Sequence, residues 1–575
     1  MTNLRDSGLS RRPAIAPREW AGAAGLSLLV AVAVVSPFFF LGTASGHDVS
    51  FHMASWLDAA GQWKQGILLP RWTEWANYGY GEPRFIFYPP LSWLLGAFLG
   101  SVIPWRAVAA TFVVGVQTFA GISAFALLRR PVQSRWAALF GAACFAANPY
   151  ALVIIYARSD FAELLAMAFF PLLFASALRL CGLLEEQTNR SDRLQGIFFF
   201  AVAFGAVWLS NAPAAVIATY SVTFLFLFAA LQQRSPKPML HGGSAMLLGF
   251  GLASFYLIPA IYEQRWVNIT GALAGGLTPN ENFLYATTKD AEHDAFNRVA
   301  SNIAVVLLVW CGASALAAWR TKQRGGFKLA ALLPLATLTA GVLLLLLPLT
   351  SPLWRFLPEL RFVQFPWRWM SVLALCLVIF MAATATAKFR WIWLAVTAVA
   401  AASCGHYIAK HTWWDTEDMP MLEAAMASGE GFEGTDEYDP VGDDRTELAQ
   451  KQPRVCFVSE AGHVEERSDE RIFVDRWTVE HRALRSLTRR DARIAIRLLD
   501  YPAWQVFVNG TLMKPRHGAA TNQMILPVAA GESQIEINFA RTWDRTIGGW
   551  VSVLTACGLM GLGLWSRKTN RRAPR

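Results

Sequence analysis

A succession of charge-free apolar stretches, each about as long as a bilayer is thick, constrains this chain more than any other feature. The first, Ala21 to Leu41, is long enough as a helix to cross the roughly 30 Å hydrocarbon layer. Further stretches run near 106–128, 136–156, 161–181, 195–211, 213–231, 242–261, 300–319, 328–348, 367–386, 390–408 and 547–565. In lipid every backbone polar group must find its partner inside its own segment, so these stretches fold as helices. Over half of the 575 residues are apolar and 16% are charged, a balance no ordinary soluble domain needs. The expected fold is an α-helical polytopic membrane protein of about twelve transmembrane helices.

The basic residues orient it. Arg11, Arg12 and Arg18 precede the first stretch, which reads as a signal anchor; the alternative, a signal peptide cleaved near Ala44-Ser45-Gly46, has too long an apolar core. Leu91 to Pro104 is apolar but short, and follows Pro89-Pro90. If it lies at the surface or re-enters, Arg129, Arg130 and Arg135 fall inside, together with Arg190 to Arg193, Arg234 to Lys237, Arg320 to Lys328, Lys388 to Arg390 and the tail from Arg567. Six basic clusters then share the cytoplasmic side, and a label near Gln133 is protected while labels near Gly81, Asn280 or Asn509 react. The net charge of +10 thus reflects membrane topology, and nucleic acid is not an expected partner.

On this topology residues 1–20 are a cytoplasmic tail and 21–408 the transmembrane domain, with outer loops 42–90, 262–299 and 350–368. An extracytoplasmic β-rich domain spans 409–546, ahead of the last helix (547–565) and a basic cytoplasmic tail (566–575). Alternation in Ala492 to Arg497, Trp504 to Val508 and Gln534 to Asn538 predicts a β-sandwich, and Asn509-Gly510 predicts a two-residue hairpin. Asp436 to Asp444 is an acidic, irregular lead-in. Six of the seven cysteines lie in apolar stretches and only Cys456 in the polar domain, so no disulfide framework is readable.

The outer segments carry the chemistry. Gly46-His-Asp-Val-Ser-Phe-His52 follows the first stretch, and Asp48, Ser55, Gln62 and Lys64 alternate with Phe51, Trp56, Leu57 and Trp63 as in an interfacial helix with its aromatics toward lipid. Asp48 and His52, one turn apart, suit a general base with an orienting partner or two ligands of a divalent metal; helix capping by Asp48 is the plainer alternative. His47 completes a weak metal set with them only if it precedes the helix. In the same loop Arg71, Glu74, Glu82 and Arg84 stand among aromatics, a mixture that suits sugar rings and phosphate, with an aromatic belt as the plain alternative. Arg158, Asp160 and Glu163 form a second outer cluster, which a capping box also explains. Arg361 and Arg368 bracket Gln364 and Pro366 at the outer entrance of the tenth stretch, where Arg suits a phosphate and snorkelling explains it equally. Asn211-Ala-Pro213 reads as a turn.

The order of elements is a first span, an outer loop opening on an acid, an interfacial helix, then Tyr88-Pro-Pro-Leu91 leading to a span that ends in Arg129-Arg130. It resembles the GT-C superfamily of integral membrane glycosyltransferases. Arg361-Phe-Val-Gln-Phe-Pro-Trp-Arg368 and Tyr501-Pro-Ala-Trp504 resemble, more narrowly, a bacterial group of membrane proteins labelled 6-pyruvoyl-tetrahydropterin synthase-related, similar in layout to YfhO-type membrane proteins. The pterin label is not read as chemistry, because a soluble pterin synthase needs a three-histidine zinc site that the nine histidines do not form.

The GT-C resemblance implies sugar transfer from a polyprenyl-phosphate donor to a glycan, lipid or protein acceptor at the periplasmic or extracellular face of a bacterial inner membrane. It maps Asp48 onto the first-loop acid and Asp160 onto the second acidic motif, as catalytic residues. His52, Arg84, Arg158, Glu163 and Arg368 are then expected to bind substrate. His47, Asp48 and His52 would give at most a weak divalent-metal site, and no other cofactor is implied. The alternative is a non-catalytic membrane protein that binds or helps export lipid-linked glycans. No Walker loop, HExxH or GxSxG is present, which weighs against ATP-driven transport and hydrolase chemistry. A transporter stays open, although the charges cluster at one face and not near the midplane.

Overall fold

The computed structural model describes residues 15–132, 134–184, 190–321, 329–385, 390–460, 462–517 and 521–572, with side chains to 565. Arg11, Arg12, Gln133, Lys328, Lys388 and the side chains of the tail from Arg567 lie outside the described residues. Among the described residues eleven helices are long and apolar enough to cross a membrane, and a twelfth is broken. They are Pro17–Leu41, Trp105–Arg129, Arg135–Arg158, Phe161–Leu180, Arg190–Ser210, Ala212–Gln233, Lys237–Trp266, Ala291–Arg320, Pro366–Thr384, Arg390–Ala409 and Trp543–Trp565. The ninth span is the broken one: Leu329–Leu345 turns by 91° into Pro348–Phe356. Pro348 and Pro352 account for the corner, since a proline cannot continue the ladder of the preceding turn.

The short apolar stretch forms the helix Pro90–Val102, whose 13 residues are too few to span a bilayer upright. Glu19, at the start of the first span, is paired with Arg129 at the end of the second (2.8 Å), so these two helices run antiparallel. The second span must therefore begin on the face where the first one ends. Arg193 near the start of the fifth span meets His241 near the start of the seventh (3.2 Å), and Arg190 stacks on Trp565 near the end of the last (5.1 Å). These basic ends share one face of the bundle.

The opposite face carries the polar domain. Strand β1 (Thr43–Ala44), directly after the first span, pairs with β2 (Trp414–Asp415), directly after the eleventh. Beyond them lie β3 (Val455–Val458), β4 (Val464–Glu465), β5 (Arg471–Trp477), β6 (His481–Thr488), β7 (Ala492–Leu499), β8 (Trp504–Val508), β9 (Thr511–Met513), β10 (Arg516–His517), β11 (Gln523–Val528) and β12 (Gly531–Phe539). They form two five-stranded sheets, ordered β10-β11-β7-β3-β4 and β5-β6-β12-β8-β9. Asn509 (φ 50°) and Gly510 (φ 77°) make the expected tight turn between β8 and β9. Val506 and Val508 are buried and Gln505 is exposed, as the alternation requires.

One expectation needs correcting here. Residues 49–64 do form a helix, but its aromatics do not face lipid. Trp56 is fully buried, stacked against Phe112 of the second span and Phe161 of the fourth and pressed on Gly96, because the Pro90–Val102 helix and the helix Asp418–Ser428 pack on this helix and the spans close over its aromatic face. The sandwich shares a core with the first loop. Trp72, Tyr80 and Ile86 of the first loop are buried in one apolar core with Tyr501, Trp504 and Val506 of the sandwich. Glu263, at the end of the seventh span, is fully buried and takes two bonds from Arg545 (2.7 and 2.8 Å) and one from the Tyr501 hydroxyl (2.7 Å).

Candidate functional site

The site begins with an unusual corner. Asn148 caps the helical turn that opens at Pro149, and the third span then widens into a π-helical turn, Val153–Arg158. Ser159 follows in the left-handed region (φ 52°), and Asp160 caps the fourth span by accepting from the Glu163 amide (2.9 Å). A widened turn that ends in a left-handed residue aims consecutive side chains in different directions, a device common at functional sites.

The first loop is fastened onto this corner. The Gly46 amide donates to Ser159 Oγ (3.0 Å), Ser159 Oγ donates to the Ala44 carbonyl (2.8 Å), and the Asp48 amide donates to the Arg158 carbonyl (2.9 Å). No other residue fits at Gly46, where a Cβ would lie 2.5 Å from the Arg158 carbonyl carbon. The seam sets Asp48 Oδ2 2.5 Å from Arg158 Nη2, with His47 Nδ1 3.4 Å from Arg158 Nη1. Asp48 makes no capping bond with its side chain, so the plainer reading of that residue does not describe it.

Arg368 joins from the tenth span. Its Nη2 lies 3.3 Å from Asp160 Oδ2 and its Nε 3.0 Å from Glu163 Oε2, and the Tyr150 hydroxyl donates to the same glutamate. Arg158 and Arg368 each lie 4.9 Å from the ring centre of Phe365, so one apolar ring packs against both cations. His52 is buried, with Nε2 3.6 Å from Asp160 Oδ1, and packs on Trp56, Tyr88 and Phe161.

His47, Asp48, Arg158, Asp160 and Arg368 line one cavity of about 860 Å³. Trp208, Val216, Phe250, Leu257 and Ile261, from spans five to seven, form its apolar wall. Asn211, read as a turn, caps the sixth span and also faces this space. The loop 262–299 adds His293 and Asp290, and the lead-in to the sandwich adds Thr435, Glu437 and Tyr438. Burial, with Glu82 nearby, pushes the Glu437 carboxyl up to about 7. Enclosure raises the Asp48 carboxyl above its ordinary range against the pull of Arg158. Enclosure, the Arg158 charge and His293 lower the pKa of His47, which keeps that imidazole neutral near pH 7.

Some expected residues are placed elsewhere. Arg84 does not line the cavity: it is 2% exposed, bound to Glu82 (2.7 Å), Ser55 (3.2 Å) and Thr435 (3.2 Å), and stacked on Phe51. Its charge is spent inside the fold. Arg361 is exposed and stacks on Phe362. Among the described residues no group of three His, Cys, Asp or Glu side chains is placed to hold a metal. His47 turns to Phe296 and Arg158, Asp48 to Arg158, and His52 to Asp160, so the three do not fit a common ion. His293 and Glu437 were not singled out in the sequence, since each stands in a polar run without periodicity.

The family model described as "6-pyruvoyl-tetrahydropterin synthase related domain; membrane protein" matches residues 85–413. Among solved structures, a variant of the arabinofuranosyltransferase AftD from Mycobacteria aligns at 17% identity and a TM-score of 0.43, over 68% of this chain and 28% of that one. An oligosaccharyltransferase from Archaeoglobus fulgidus tethered to an acceptor peptide aligns at 15% identity and a TM-score of 0.37, over 73% of this chain and 56% of that one. The Archaeoglobus fulgidus oligosaccharyltransferase AglB with an inhibitory peptide and a dolichol-phosphate gives 14%, 0.37, and 72% and 56%. This chain spans from about a quarter to just over half the length of these proteins. No curated protein matches it.

Proposed function

The chain belongs to the 6-pyruvoyl-tetrahydropterin synthase related family of membrane proteins, and from that premise we propose that it is a glycosyltransferase working at the outer face of a bacterial inner membrane on a polyprenyl-phosphate-linked sugar. The observation that carries this reading is the cavity's division into a polar side, where Arg158 and Arg368 stand among Asp48, Asp160, Asp290, Glu359 and Glu437, and an apolar wall of membrane helices. A ligand that fits both ends has an anionic, sugar-bearing head and a long hydrocarbon tail. The pterin in the family's name has no corresponding three-histidine site among the described residues.

In this reading the donor phosphate accepts hydrogen bonds from Arg158 and Arg368, because a guanidinium holds two phosphate oxygens at once. The phosphate then competes with Asp48 for Arg158 and frees that carboxylate. The acceptor hydroxyl attacks the anomeric carbon, its proton passes to Asp48, and the bond from that carbon to the phosphate oxygen breaks. The electron pair leaves with the polyprenyl phosphate, whose charge the two arginines neutralise. Asp160, Glu163 and His52 hold Arg368 and the corner in place. No step runs through a metal, since the donor set does not fit one.

A second reading is favoured by one observation: Asp48 is already neutralised by Arg158 at 2.5 Å, which suits binding without turnover. The protein would then hold lipid-linked glycans for assembly or export. Purified protein in lipid nanodiscs, given a radiolabelled polyprenyl-phosphate sugar and envelope glycan acceptors, is expected to release polyprenyl phosphate and label an acceptor. Tight binding with neither hydrolysis nor transfer would replace the first reading by the second.

A further inference from the structure

Away from this cavity, three arginines converge where the sandwich meets the first loop. Arg482, on β6, is 2% exposed. Its guanidinium carbon lies 4.8 Å from the ring centres of both Trp477 and Trp504, and its Nε and Nη1 have no hydrogen-bond partner. Arg497, on β7, is buried too: Nη1 donates to the Gln452 carbonyl (3.2 Å) and Nε is unpaired. Arg454, exposed just ahead of β3, stacks 5.5 Å from Trp477, and its carbonyl accepts from the Arg497 amide (2.9 Å).

One carboxylate faces the three. Glu74 of the first loop feels the charge of Arg482, Arg454 and Arg497, yet it closes no ion pair with any of them and meets only Gln65 at 3.5 Å. Aromatic faces attract a guanidinium but offer its N–H groups no lone pairs. Buried donors without acceptors are costly, and three cations against one anion are costlier still. A ligand with several negatively charged oxygens answers both deficits; Gly79 packs against the Arg497 guanidinium, which a side chain there would crowd at 3.1 Å.

We propose that this junction binds the carboxylate or phosphate group of an acidic saccharide, held by Arg454, Arg482 and Arg497 beside the half-buried Trp477. That the anion is carried on a saccharide rests on the glycan-handling reading above; that the junction takes an anion rests on the arginines alone. The site is separate from the cavity, so it would engage a part of the acceptor remote from the reacting hydroxyl, or a charged glycan that tethers the protein.

Titration calorimetry of the nanodisc-embedded protein with a uronic-acid trisaccharide, a neutral trisaccharide and inorganic phosphate tests it. The acidic trisaccharide is expected to bind, the neutral one not, and binding is expected to weaken at high salt. Arg454→Ala, at an exposed position that the fold does not need, and Arg497→Gln should each weaken binding about tenfold or more, the size of a lost charge-assisted bond. Asp48→Asn, in the other site, should leave it unchanged, so failure of the transferase reading and failure of this one are distinguishable. Absence of binding by the acidic trisaccharide and phosphate, or equal binding by wild type, Arg454→Ala and Arg497→Gln, would overturn the proposal. Binding of phosphate with exclusion of the acidic trisaccharide would overturn the saccharide assignment.

Discussion

A methyl group on Gly46 would collide with the very peptide that presents Arg158, so Gly46→Ala is expected to open the seam between the first loop and the π-helical corner. Overpacking of this kind typically costs about 1–3 kcal/mol, which a thermal melt of the detergent-solubilised protein would register, and transfer should fall with it. Ser50→Ala, at an exposed position on the same loop, is the control and should change neither. Glu437 makes a different prediction. With its carboxyl at about 7, it is neutral below that pH and anionic above it, so binding of an anionic donor should weaken as the pH rises through 7. The same raised value means that the folded state loses stability as the pH climbs from the ordinary carboxylate range through 7. Glu437→Gln should flatten both slopes, and an unchanged donor-binding profile in that variant would remove Glu437 from the cavity's electrostatics. At this scale the sequence disclosed residue types but not partners. Asp48, Arg158, Asp160 and Arg368 stood out as charges at the ends of apolar stretches, where charge is expensive. Arg84 looked the same, yet Glu82, two residues away, takes it out of the cavity.

The helices were the most legible elements, because a bilayer imposes length, composition and flanking charge together. The π-helical end of the third span was not legible, since it depends on packing that hydropathy does not encode; the corner of the ninth is marked by Pro348 and Pro352, which hydropathy alone does not register. The helix 49–64 was recognised by its period but assigned the wrong surroundings: an aromatic face looks the same whether lipid or another helix covers it. The Glu19–Arg129 pair makes the topology testable. Single cysteines at Asn280 and Asn509, both exposed, should react with an impermeant maleimide on intact spheroplasts, whereas one near Arg129 should react only after permeabilisation. Reaction near Arg129 from outside would mean that Pro90–Val102 crosses and that the acidic corner faces the cytoplasm. Gly81, by contrast, is unsuitable for a label, since a side chain there meets Trp72 Nε1 at 2.0 Å.

For the molecule as a whole, the lead-in to the sandwich is a wall of the site and the sandwich is part of the fold. The sequence showed its strands and its hairpin but not its shared core with the first loop, because contacts between residues 72–86 and 479–537 leave no local periodicity. Excising Lys410 to Arg545 would strip Arg545 and Tyr501 from the buried Glu263, a loss of about 3–5 kcal/mol for an orphaned buried charge, and would uncover Trp72 and Tyr80. The excised protein should therefore lose donor binding along with transfer; donor binding at wild-type affinity would show that the membrane part holds the site unaided. The central claim, that the cavity joining Asp48, Arg158 and Arg368 moves a sugar from a lipid phosphate, is tested most directly by comparing wild type with Asp48→Asn. Donor affinity and single-turnover transfer would be measured on the same nanodisc samples, with and without a chelator. The expected result is a donor affinity at least that of wild type, since the phosphate no longer competes with a carboxylate for Arg158, with transfer slower by about 10²- to 10⁴-fold, the usual loss when a general base is removed, and no effect of the chelator. Transfer by Asp48→Asn at the wild-type rate would contradict the account.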